Sequence, residues 1–75
     1  MSTDFFQEWR TADRAASTAE RAVLQASMAS IEGTGVAPSD EAMANAKRMR
    51  AIANDLFVVA MNEFAARSAQ LRRRP

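Results

Sequence analysis

Residues 33–40 read GTGVAPSD, and this stretch decides the fold because it holds both glycines of the chain and one of its two prolines. Gly33 suits the left-handed position that follows the last residue of many helices. Pro38 has no backbone N–H to continue a helix, and it biases the residue before it toward extended geometry. Ser39 is a typical N-cap, and the acidic residues after it fall where a helix dipole favours negative charge. The stretch therefore predicts a turn over 33–38 between two helices.

The segments on both sides of this turn have the composition of long helices. Neither 5–32 nor 40–71 contains glycine or proline, and alanine, the best helix former, is frequent in both. Asp4 stands three residues before Gln7, which is close to a capping box. We predict an all-α antiparallel hairpin that forms a single domain, 1–75, with helix 1 at about 4–32, helix 2 at about 39–71 and a basic tail at 72–75.

The side-chain inventory excludes several classes of chemistry. The 75 residues leave room for one domain, and they include no histidine, cysteine or tyrosine. A disulfide framework, a thiol nucleophile, a Cys/His zinc site and a histidine base are all ruled out. The glycines lie between helices rather than after a strand, so a dinucleotide-binding loop fails its context test. We therefore expect no enzymatic activity, no cofactor and no metal.

Alanines at heptad spacing mark a seam on each predicted helix. They recur at 12, 19 and 26 in the first half and at 46, 53 and 60 in the second, as a or d positions of a coiled coil do. Folding the chain back at the turn pairs these alanines with one another, for example Ala19 with Ala53, about a centre at Val36. The predicted intrachain seam consists of Ala12, Ala16, Ala19, Val23, Ala26, Ala46, Met49, Ala53, Leu56 and Ala60.

Charge divides between the two halves of the chain. Residues 1–41 carry three basic and seven acidic side chains, whereas 42–75 carry seven basic and two acidic ones. An antiparallel hairpin neutralises this asymmetry by placing the halves side by side. The same pairing puts Arg50 beside Ala22, within reach of Glu20.

Two further expectations follow for individual charges. The predicted pairing places Arg67 near Phe5, within reach of Asp4 and Glu8. Asp13 and Glu20 share one face of the first helix, and in the absence of a pocket or nucleophile we expect that face to be solvated.

The large apolar side chains lie mostly off the seam, which predicts self-association. On the second helix the apolar arc covers roughly 200°, whereas a helix that buries one face shows little more than 100°. A chain below about 70–80 residues also rarely holds a sufficient core alone. We expect a homodimer of hairpins, a four-helix bundle. The predicted oligomer interface consists of Phe6, Leu24, Met28, Ile31, Met43, Ile52, Phe57, Val59, Met61 and Phe64.

An alternative is a hairpin that binds a different protein, as a chaperone or a secretion-apparatus component. Pro38-Ser39-Asp40 at the turn of a short helical hairpin, with Trp9 near the N-terminus, resembles the needle subunits of type III secretion systems. The stretch 64–71 departs from the polar, amide-rich end of those subunits, so we assign no membership. In this alternative the purified chain would be molten, aggregated or polymeric.

A second alternative uses the basic second half as a contact for nucleic acid or another anionic surface. The net charge of +1 gives no overall electric field that would attract such partners. The helix dipole also favours cations near a helix C-terminus, which explains the basic residues there without a ligand. Nucleic acid is therefore the less favoured partner. The N-terminus lacks a basic signal-peptide region, and no apolar run is long enough to span a membrane. We expect a cytoplasmic protein, with leaderless secretion left open. The candidate anion contacts are Lys47, Arg48, Arg50, Arg72, Arg73 and Arg74.

Overall fold

The chain folds into two long helices that lie side by side. The computed structural model describes residues 4–73, with helix α1 at Phe5–Ile31 and helix α2 at Asp40–Arg73. No strand occurs in that range, and the molecule measures 65 × 20 × 15 Å. The prediction of an all-α helical hairpin is confirmed, and neither helix of the described part combines the length and apolarity needed to cross a membrane.

The predicted N-caps are confirmed by their hydrogen bonds. At the start of α1 the carboxylate of Asp4 accepts a hydrogen bond of 3.0 Å from the backbone N–H of Gln7. At the start of α2 the hydroxyl oxygen of Ser39 accepts one of 3.0 Å from the backbone N–H of Ala42. Each cap satisfies a donor that has no partner inside its helix, so both helix starts are encoded locally.

The end of α1 is a Schellman motif built on Gly33. This residue has a φ of +78°, which a side chain would strain. The N–H of Thr34 donates to the carbonyl of Ala29 at 2.8 Å, and the N–H of Gly33 donates to the carbonyl of Ser30 at 3.1 Å. Gly35 then passes so close to the helix that an added Cβ would lie 3.0 Å from the Cβ of Ala29. Both glycines are therefore needed for the reversal of the chain.

The interior of the hairpin consists of small side chains. Among the described residues, those that are buried are Ala16, Ala46, Ala53 and Ala60. All four belong to the predicted seam, and its other members are half-buried. Alanine contributes little apolar area, so a single hairpin gains little hydrophobic stabilisation from this interior.

The aromatic contacts between the helices depart from the predicted pairing. Phe6 contacts Phe64, although the predicted pairing places it level with Ala66, and Trp9 contacts Phe57, although that pairing places it level with Glu63. Both rings meet earlier residues of α2 than predicted, whereas Arg50 reaches Glu20 as expected.

The seam alanines are not equally enclosed on the two helices. On α2, Ala46, Ala53 and Ala60 are buried, whereas on α1 only Ala16 is buried and Ala12, Ala19 and Ala26 are half-buried. Large side chains also meet across the helices, as where the ring of Trp9 contacts that of Phe57, so the seam is not uniformly alanine facing alanine.

Candidate functional site

A cluster of four polar side chains ties the middle of the hairpin together. The guanidinium of Arg50 donates to both carboxylate oxygens of Glu20, at 2.7 and 3.0 Å. It also donates to the carboxylate of Asp13 at 2.7 Å and to the hydroxyl of Ser17 at 3.2 Å. The three acceptors lie on one side of α1 at i, i+4 and i+7, so one planar guanidinium reaches them all.

The electrostatics of this cluster favour its charged form. The hydrogen bonds from Arg50 hold the pKa of Glu20 below its ordinary value of 4.5, against smaller opposing effects of desolvation and of Asp13. Bonds to Glu20 and then to Asp13 raise the pKa of Arg50 further above its ordinary value. Because all three charged side chains remain partly in water, the cluster is a surface ion network and contributes modestly to stability.

We expect the melting temperature to fall when the pH is lowered below 4.5. The folded-state pKa of Glu20 lies below its unfolded value, so the stabilisation is complete above the unfolded value and is lost as pH falls through the folded one. Thermal unfolding followed by circular dichroism between pH 7 and pH 3 measures this loss. Glu20→Gln should flatten the acid limb of that profile, whereas Glu8→Gln on the same helix should leave it steep. An equal effect of the two variants would contradict the assignment.

One charge expectation needs correction, and another is completed by a partner. The face that carries Asp13 and Glu20 remains partly in water as expected, with both carboxylates also paired with Arg50. Arg67 was expected near Asp4 and Glu8, but its guanidinium pairs with Glu63 one turn earlier on its own helix, at 3.2 Å. The expectation that Arg50 reaches Glu20 is confirmed.

All ten residues of the predicted oligomer interface are exposed in the single chain. Their exposed fractions run from 37% at Phe6 to 86% at Ile31. The sequence analysis did not include three further exposed apolar side chains, Val36, Val58 and Leu71. Exposure of this extent leaves most of the large apolar surface of the hairpin in water.

Most of these exposed side chains lie on the same side of the hairpin as Arg50. On α2, Met43, Phe57 and Phe64 stand at multiples of seven residues from Arg50, which places them along one side of the helix. The rest occupy matching positions on α1 or lie beside this row. The opposite side carries only Ile52 and Val59 among the ten. The set that we call the Arg50 flank consists of Phe6, Leu24, Met28, Ile31, Met43, Phe57, Met61 and Phe64, with the polar cluster at its centre.

Aromatic contacts fix the part of the flank farthest from the turn. The rings of Phe6 and Phe64 meet edge to face with centroids 6.3 Å apart. The rings of Trp9 and Phe57 lie 5.3 Å apart at 58°. Each pair joins α1 to α2 while leaving Phe57 and Phe64 about half exposed. These rings are thus held in place and still present an apolar face to a partner.

An open groove lies on the same flank nearer the turn. The groove is lined on α1 by Glu20 and Val23 and on α2 by Met43, Ala46, Lys47, Arg50, Ala51 and Asn54. Its lining is mostly apolar and open to solvent, which suits an apolar side chain from outside rather than a small polar substrate.

The candidate anion contacts that the structure describes are not gathered into one basic site. Arg50 donates to Glu20, Asp13 and Ser17, so its charge is matched within the chain. Lys47, Arg48 and Arg72 are exposed along α2. Arg74 and the side chain of Arg73 lie outside the described residues. What remains of the first basic cluster is a pair of exposed cations.

The sequence analysis missed the roles of Asp13 and Ser17 in the polar cluster. The available signal was their spacing: with Glu20 they form a row of acceptors at i, i+4 and i+7, which one long side chain such as that of Arg50 can reach.

A scan of family models, a search of curated proteins and a search of solved structures each found no match to this chain.

Proposed function

We propose that the protein is a non-catalytic helical hairpin that acts through self-association, as a homodimeric four-helix bundle. The observation that carries the proposal is the set of large apolar side chains left in water while, between residues 4 and 72, only alanines are buried. Apolar patches of this kind mark association surfaces in folded proteins. The absence of histidine and cysteine from the sequence supports a role without catalysis.

The accessible surface supports the same proposal. The single chain exposes 6093 Å². A compact monomer of the same mass exposes about 4,500 Å², so the excess is on the order of 1,600 Å². A standard interface removes about 800 Å² from each partner, and obligate dimers remove more. The excess is therefore large enough for an extensive dimer interface.

Sedimentation equilibrium of the purified chain at micromolar concentration tests the proposal. We expect a single species of twice 8.2 kDa with a cooperative thermal transition. A folded 8.2 kDa monomer would refute self-association. A molten or aggregated chain would instead favour the alternative in which the hairpin needs a different protein.

Binding to nucleic acid has less support. The ion pairs of Arg50 remove one of the candidate cations, and exposed Lys47 and Arg48 remain beside it on α2. With Arg72, three exposed candidate cations remain among the described residues, at two separate places on α2, which gives a weak electrostatic footprint for binding to a phosphate backbone. We therefore keep a partner protein, and in the first place a second copy, as the proposed partner. A cytoplasmic location remains part of this proposal.

A further inference from the structure

The α2 row of the Arg50 flank is self-complementary under a twofold rotation. Met43, Arg50, Phe57 and Phe64 follow one another at seven-residue spacing, and the midpoint of the row falls just after Ala53. A second copy turned by 180° about that point brings Met43 level with Phe64 of the other copy, and Arg50 level with Phe57. A thioether beside an aromatic ring and a guanidinium beside a ring are both favourable contacts.

Two pairs of α1 residues are symmetric about Ser17. Phe6 and Met28 are equidistant from Ser17, and so are Asp13 and Arg21. The same rotation therefore sets an aromatic ring against a thioether and a carboxylate against a guanidinium.

The two midpoints lie at one level of the hairpin. The contact between Phe6 and Phe64 places Ser17 near the level of Ala53, and the bond from Arg50 to Ser17 shows that this part of α1 lies beside the middle of α2. A single twofold axis through this level therefore serves both helices. Isologous dimers require this kind of self-complementary patch, whereas a different partner protein places no such demand on the surface.

We propose that a second copy of this chain packs antiparallel on the Arg50 flank, with the dyad at the level of Ser17 and Ala53. This inference rests on the proposed self-association and specifies its face and orientation. In this arrangement α1 packs on α1, α2 packs on α2, and the turns lie at opposite ends of the bundle. The surface excess described above supplies the area that such a packing needs.

Side chains of the second copy pack into the open groove in this arrangement. It lies at the level of Met43 and Ala46, and the dyad brings Phe64 and Met61 of the other copy to that level. Apolar side chains of the other copy thus enter a mostly apolar groove. The polar clusters of the two copies meet near the axis. Polar groups at the centre of a coiled-coil interface fix register at some cost in stability, which is the role we assign to Arg50 and its acceptors.

Spin labels on the turn test the orientation. The chain has no cysteine, and Val36 is 88% exposed at the tip of the turn, so Val36→Cys gives one labelled site per chain without disturbing the helices. An antiparallel dimer places the two labels on the order of 50 Å apart, from 1.5 Å per residue between dyad and turn. A parallel dimer places them within about two helix diameters, roughly 20 Å.

Disulfide formation tests the face. Ser17→Cys puts a thiol of similar size at the dyad on the Arg50 flank, and Ala15→Cys puts one at nearly the same level on the opposite side of α1. Under oxidation we expect the first variant to run at twice 8.2 kDa and the second to stay largely unlinked.

The outcomes separate the two proposals. A dimer by sedimentation whose labels lie near 20 Å, or one that links through position 15 rather than 17, overturns the antiparallel flank and leaves self-association intact. A monomer at all concentrations overturns both. Labels near 50 Å together with selective linkage at Ser17 support the arrangement.

Discussion

Ala53→Leu lowers the melting temperature of the protein. Ala53 is 0% exposed, as is Ala16 on the other helix, so the seam around Ala53 has no room for three more carbon atoms. Overpacking of this kind costs about 1–3 kcal/mol, and a domain of this size loses about 4–8 °C for each kcal/mol. Thermal unfolding followed by circular dichroism at a fixed protein concentration measures the change.

Ala44→Leu is the matched control. It makes the same substitution nine residues earlier, at an exposed position of the same helix outside the open groove, where leucine and alanine have similar helix propensity. We expect its free energy of unfolding to change by less than about 0.5 kcal/mol. Equal melting temperatures for Ala53→Leu and the unsubstituted protein would refute the close approach of the two helices.

Met61→Glu dissociates the proposed dimer, whereas Val59→Glu leaves it largely associated. The two side chains are 40% and 42% exposed, so replacing either disturbs the single hairpin to a similar degree. Only Met61 lies on the Arg50 flank, where the proposed dyad sets it level with Ala46 of the second copy. The twofold dimer loses two buried methionines, each worth about 1.5–3 kcal/mol, which corresponds to a dissociation constant raised by at least roughly 100-fold.

Sedimentation velocity across a dilution series measures both dissociation constants. A larger effect of Val59→Glu than of Met61→Glu would move the interface to the side of Ile52. Helical content measured in the same samples confirms that each variant still folds, which separates loss of association from loss of structure.

The helix boundaries could be predicted from sequence because local chemistry encodes them. Asp4, Gly33 and Ser39 act within a few residues of themselves, through a carboxylate, a left-handed backbone and a hydroxyl. Signals of this range can be recognised without knowing what the rest of the chain does. The exposure of the apolar interface residues was predictable for a similar reason, since helical spacing alone shows which of them leave the seam.

The exact register could not be predicted from the alanine pattern. Heptad spacing allows neighbouring alignments of the two helices, and a pattern of methyl groups distinguishes them weakly. The choice depends on larger side chains, such as the ring of Trp9 beside Phe57 and the reach of Arg50 to Asp13. These contacts depend on side-chain length and rotamer, which spacing does not specify.

The distribution of side-chain size along the hairpin has a consequence for how its ends are held. Near the turn the chain closes a short loop, and alanine contacts are enough to keep the helices together. At the open end a contact such as Phe6 to Phe64 closes nearly the whole chain, and the entropy lost on closing a loop grows with its length. The two aromatic pairs hold the helices together at that end, so large apolar contacts lie where thermal fraying would otherwise begin.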